Sequence, residues 1–137
     1  MIPERFAPAT YALFRIITGF IFFIDGTQKV LGWPMAEAVT DFMTMRGAAG
    51  IIELVAGFLI MVGLFTKPAA FIASGEMAVA YFYLHVHMFA KVALPMALIP
   101  QLNGGERAAA LSVAFLYIAS RGAGIMSVDG ARKGSRR

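Results

Sequence analysis

The stretch Gly50-Ile51-Ile52-Glu53-Leu54-Val55-Ala56-Gly57 decides the fold. It places one carboxylate inside an apolar run covering residues 47–65, close to the roughly 20 residues that a helix needs to cross a bilayer. A charge at the centre of such a span costs about 2.5–3.5 kcal/mol on insertion scales, so Glu53 must be protonated, paired or turned toward a wet interior. Gly50, Glu53 and Gly57 stand at i, i+3 and i+7, one stripe of an α-helix, and small residues mark where a neighbouring helix approaches closely. The expected architecture is all-α, with Glu53 pointing into a helix bundle.

Composition demands the same solution. A chain of 137 residues allows one domain, and 59% hydrophobic with only 15% charged residues excludes an ordinary soluble one. With a mean hydropathy of +0.73, residues 1–137 read as a single integral membrane domain whose first partner is the lipid bilayer. The absence of cysteine excludes disulfides, thiolate metal sites and dithiol exchange by this chain, so any redox centre would be borrowed. A net charge of +4 raises the question of nucleic acid, but no basic face with interleaved aromatics supports that partner, and none is expected.

Outward from Glu53, four transmembrane helices are predicted, over residues 9–31, 47–65, 68–89 and 104–123. The first has too long an apolar stretch for a cleaved signal peptide, and Asp25, Gln28 and Lys29 stand where a small-residue cleavage site would be needed. Along it Arg15, Gly19, Phe22, Gly26 and Lys29 form a small-and-polar stripe for other helices, while Phe14, Ile17, Phe20, Ile21 and Ile24 face lipid or core. Between the first two helices, Pro34 can start a short interfacial helix with Met35, Val39 and Phe42 on its apolar face; an ordinary loop is the alternative. Pro68 forces a tight turn into the third helix, where Glu76 stands in a stripe with Ala73, Ala80 and Tyr83. Asn103 and Glu106 have the spacing of a capping box before the fourth helix. The basic tail, residues 126–137, ends in Arg132-Lys133-Gly134-Ser135-Arg136-Arg137 and suits an anionic lipid surface. Four spans put both termini on one side, the side richer in Lys and Arg, so both termini are expected in the cytoplasm.

At 1.5 Å of rise per residue, Arg15 and Glu76 each lie roughly 10–12 Å from the cytoplasmic end, which suggests an inner ion pair that fixes helix register. An outer group gathers Asp25, Gln28, Lys29, Glu53, His85, His87 and Glu106. Two carboxylates, Asp25 and Glu53, exceed one Lys29 there, so one carboxyl is expected to hold a proton near neutral pH. Such a group can bind a ligand and exchange protons, and a quinone head group, whose carbonyls need donors, suits it; a charge-paired bundle mouth without a ligand is the alternative. His85 and His87 point apart on one helix, which disfavours bis-histidine haem, and no spacing signature of a metal site is present. No catalytic residue can be named.

Taken together, Gly26-x-Gln28-Lys29, Gly50-x-x-Glu53-x-x-x-Gly57, Gly63-Leu64-Phe65-Thr66, Ala80-Tyr81-Phe82 with His85, Asn103-Gly104-Gly105-Glu106 and Ser127-Val128-Asp129 resemble, in this order, the DoxX family of small four-helix bacterial membrane proteins. The resemblance implies a multi-pass protein of the bacterial cytoplasmic (inner) membrane. It also implies a link to thiosulfate:quinone oxidoreductase or to complexes handling oxidative and thiol stress with soluble redox enzymes. Lacking cysteine, this chain would supply the quinone site or an anchor rather than the sulfur chemistry. Three readings follow: a quinone-interacting subunit of an oxidoreductase complex, a scaffold recruiting soluble oxidative-stress or sulfur-metabolism enzymes, and a small transporter. Small-residue stripes are compatible with a homodimer.

Overall fold

The computed structural model describes residues 3–35 and 37–134, and is helical with no strand among them. Pro8 in the first turn and Gly32 in the left-handed conformation bound α1 (Ala7–Leu31). Helix α2 (Met45–Val62) opens where the Thr44 hydroxyl accepts the Gly47 N–H at 3.1 Å and closes at Gly63, φ 73°. Helix α3 (Thr66–Val79) continues without a break into a π-helical segment, Ala80–Phe89. A single turn, α4 (Pro100–Asn103), precedes α5 (Glu106–Arg121), and α6 (Val128–Gly134) ends the described chain. Residues 135–137 of the basic tail lie outside the described residues.

Among the described residues three helices are long and apolar enough to cross a membrane: Glu4–Leu31, Met45–Val62 and Thr66–Phe89. The fourth, α5, is shorter and lies along α3, where Ser74 Oγ donates to Ser112 O at 2.8 Å and Ser112 Oγ donates to Ser74 O at 3.1 Å. Helices α1 and α2 meet through glycine. A Cβ on Gly26 would stand 2.2 Å from Leu54 N, and one on Gly57 2.4 Å from Phe23 N, so the two backbones touch. Phe22 and Phe115, with ring centroids 4.7 Å apart, join α1 to α5 at the centre of the core. The stripes expected on α1 and α2 are buried except for half-buried Lys29, and Phe14, Ile17, Phe20 and Ile21 are exposed on the face that lipid would cover.

Two local expectations need correction. No described residue of 32–44 is helical. The segment is drawn back onto α1 by hydrogen bonds from Val39 N–H to Lys29 O (2.7 Å) and from Trp33 N–H to Thr27 O (3.4 Å). Asp41 accepts the Met43 N–H at 2.8 Å, a side-chain turn that competes with helix, so the loop alternative holds. At the start of α5 the cap is Gly105, not Asn103. Asn103 instead closes α4, accepting the Gly105 N–H at 2.7 Å and donating to Ala97 O at 2.7 Å, which leaves Glu106 outside any capping box. The π segment also shifts the phase of the third helix, so Tyr83 faces outward and Tyr81 turns in, its hydroxyl donating to Leu98 O at 2.6 Å.

The two ends of the chain meet at one end of the bundle. Tyr11 donates its hydroxyl to Gly122 O at 2.5 Å, and Asp129 N–H donates to Gly63 O at 2.9 Å in the α2–α3 turn.

Candidate functional site

Helices α1, α2, α5 and the third helix with its π segment enclose a cavity of about 440 Å³ at the end away from the termini. Asp25, Gln28, Lys29, Glu53 and His85 all line it, as the depth of these residues on their helices suggests. Lys29 Nζ donates to Glu53 Oε1 at 2.5 Å; the carboxylate is 1% exposed and its Oε2 has no protein partner. Glu53 can sit at this depth because Gly26 lets α1 press against the α2 backbone beside it, which brings Lys29, one turn further along α1, within reach.

Arg107 was not among the expected site residues, yet it lines the same cavity and pairs with Asp25. The signal available for it is its place in the first turn of α5, directly after the Gly104-Gly105 break and at the level where α1 ends. Glu106, by contrast, is exposed on that turn and does not line the cavity. His85 Nδ1 lies 3.3 Å from Asn103 O, and since a carbonyl only accepts, Nδ1–H is the donor in this contact. The π geometry has a direct consequence here, because Gly105 packs so tightly that a Cβ on it would stand 2.8 Å from Tyr81 and 2.9 Å from His85. His87 is exposed beside Tyr83, away from the cavity.

The expected Arg15–Glu76 pair does not form. Equal depth would require the helices to begin at one level, and they do not: Gly19 on α1 lies against Gly57 and Met61, and Gly26 against Glu53 and Leu54. That register puts Arg15 beyond the last turn of α2, eleven residues or roughly 16 Å from the Gly26 level. Arg15, fully buried, donates Nη1 to Ile60 O (2.6 Å) and Met61 O (2.8 Å) and Nη2 to Met126 O (2.7 Å). The partial negative charge at the end of a helix thus serves the guanidinium in place of a carboxylate. Glu76 neighbours Glu53 instead, and its Oε2 is likewise buried without a partner. The charge count changes accordingly. Arg107 balances Asp25 and Lys29 balances Glu53, so the surplus carboxyl group of the cluster is Glu76 rather than one of the outer pair.

At the opposite end, Asp129 receives the N–H groups of Thr66 (3.0 Å) and Phe65 (3.1 Å) and the Thr66 hydroxyl (3.1 Å). Burial alone would push this carboxyl up, but the hydrogen bonds from Thr66 and Phe65, with Arg132 nearby, outweigh it and hold it below the usual aspartate value. Asp129 therefore caps α3 from the far end of the chain, which gives the Ser127-Val128-Asp129 motif a structural role.

The DoxX family model matches residues 10–88. The chain belongs to the DoxX family. A relative described as an uncharacterized protein of Haemophilus influenzae is 41% identical over 131 residues, covering 92% of each chain. No solved structure matches. The span matched in this DoxX protein takes in α2 and nearly all of α1 and of the third helix with its π segment, and so holds Asp25, Gln28, Lys29, Glu53, Glu76 and His85. Arg107 comes from beyond it.

Proposed function

We propose that this DoxX protein is a membrane subunit of a redox system whose cavity receives a quinone head group or a small oxidised metabolite. One observation carries the reading: the donors Gln28, Lys29 and Arg107 converge with the acceptors Asp25 and Glu53 on one cavity formed by four helices. Its volume, about 440 Å³, suits a single-ring ligand, and Met77, Leu84 and Leu111 offer the apolar wall such a ring needs. A quinone, when bound, supplies the capacity to take up electrons and protons. The residues of this chain would orient its carbonyls through Lys29 and Arg107, and Glu53, backed by Glu76, would give up or take a proton at a buried carboxyl oxygen. Electrons and any sulfur chemistry would come from a partner, since the chain holds no cysteine. The end bearing both termini, with Arg5, Lys67, Arg121, Arg132 and Lys133, would face the cytoplasm.

Purified protein in nanodiscs, titrated with a short-chain quinone analogue, should show a saturable rise in thermal midpoint that Arg107→Gln and Lys29→Gln each weaken. A midpoint that does not move with the analogue refutes the reading. The unpartnered oxygens of Glu53 and Glu76 favour a second reading, a small transporter that carries protons with a solute. Proton flux into liposomes at the rate of empty vesicles would remove it.

A further inference from the structure

Another cavity lies at the end that carries the termini, and nothing in the proposed redox role uses it. It holds about 720 Å³ between the first turn of α3, the end of α5 and α6. Four cations from three segments line it: Lys67 in α3, Arg121 at the end of α5, and Arg132 and Lys133 in α6. The single carboxylate on its wall, Asp129, has both oxygens occupied by Phe65 and Thr66. None of the four cations forms an ion pair among the described residues. Arg121 is held in place over the Tyr11 ring, 5.5 Å from its centroid. Against one carboxylate whose oxygens are already taken by backbone and hydroxyl donors, the concavity therefore presents three net positive charges.

We infer that this concavity binds the phosphate of an anionic phospholipid headgroup. The apolar surroundings favour a lipid over a soluble phosphate. Phe65, Ile125 and Met126 are 60%, 48% and 72% exposed around the same end, where acyl chains would lie beside them. The site also sits directly at the α2–α3 turn, where two helices long enough to cross a membrane end. A phosphate diester offers charge-assisted acceptors to Arg121 and Arg132, and the lysines add compact charge at its edges. Because α6 forms one wall and also caps α3 through Asp129, an occupied site ties α3, α5 and α6 together.

The full-length protein, purified in neutral detergent, is titrated with phosphatidylglycerol, with phosphatidylcholine, and with inorganic phosphate or pyrophosphate, and thermal midpoints are followed. Phosphatidylglycerol should stabilise and phosphatidylcholine should not. In Lys67→Gln/Arg132→Gln the apparent affinity for phosphatidylglycerol should fall about 25-fold, roughly fivefold for each cation removed. Arg46→Gln/Lys91→Gln removes the same charge at the opposite end and should bind as the parent does. If the first double variant fails to fold, Arg121→Gln/Lys133→Gln makes the same comparison. Equal loss in the two classes of variant, no preference for phosphatidylglycerol, or stabilisation by inorganic phosphate alone each overturn the assignment.

Discussion

Replacing Lys29 with methionine keeps most of the side-chain length and removes the ammonium 2.5 Å from Glu53 Oε1. Among the described residues Lys29 is the one cation that pairs with that carboxylate, which is 1% exposed. Breaking a buried pair from one side costs about 3–5 kcal/mol. The lysine side chain is 28% exposed, so water can reach part of the vacated site and the loss should fall near the lower end, about 3 kcal/mol. Glu53→Gln removes the charge from the buried side and leaves an ammonium that can turn to solvent, so it should cost only about 1 kcal/mol. The double variant Lys29→Met/Glu53→Gln has no stranded charge and should recover about 2 kcal/mol relative to the sum of the singles. Reversible unfolding in mixed micelles, followed by far-ultraviolet circular dichroism, supplies the four free energies. The Asp25–Arg107 pair, with its arginine 60% exposed, is the internal comparison and should couple by less than about 1 kcal/mol. Additive effects for Lys29 and Glu53, within about 0.5 kcal/mol, would refute the claim that the buried carboxylate depends on that lysine.

Other predictions rest on single contacts. Gly26→Ala forces a methyl into the α2 backbone and should destabilise by about 1–3 kcal/mol, whereas Gly75→Ala, with nothing within 4 Å, should stabilise by about 0.5–1 kcal/mol; thermal midpoints moving in the same direction would contradict the packing. Arg15→Lys cannot span three carbonyls from two chain segments and should cost about 1.5–3 kcal/mol while loosening residues 126–134, read as faster limited proteolysis of the tail. Because the folded state lowers the Asp129 carboxyl, its contribution is fully present above the unfolded value near pH 3.9 and is lost as pH falls through the folded value. Asp129→Asn should flatten the acid limb of stability below about pH 4 and leave the shape of the neutral-to-alkaline limb unchanged.

The helical faces were legible because burial in a helix repeats with a known period. The Gly50–Glu53–Gly57 stripe is buried, as is the Arg15-to-Gly26 stripe with half-buried Lys29 at its end, and Lys29 meets Glu53 because the same glycines that mark the stripe also bring the helices into contact. Depth between helices was less legible. Counting from each helix start assumes a common level, yet α1 begins well beyond the end of α2, so Arg15 and Glu76 belong to different ends of the charge system. Arg107 escapes notice because a cation just after a glycine pair reads as a loop charge until the fold brings that turn against α1. The π segment Ala80–Phe89 has no mark in the hydrophobic pattern, since Tyr81 and Tyr83 are both aromatic and either could face inward. Pro34 is compatible with both a helix start and a turn, and the bonds that choose the turn come from Thr27 and Lys29 at the end of the preceding helix.

The guanidinium of Arg15 has an implication for the order in which the protein is made. Its three acceptors are synthesised at different times, two of them at the end of α2 and the last, Met126, 111 residues after it. During translation α1 must therefore enter the bilayer carrying a cation whose ligands do not yet exist, wait for α2 to supply the first two, and receive the third only once Met126 has emerged. Arg15 thus couples α1 to the segment between α5 and α6, and a nascent chain stalled before Met126 would hold a bundle that is not yet closed at the Arg15 end.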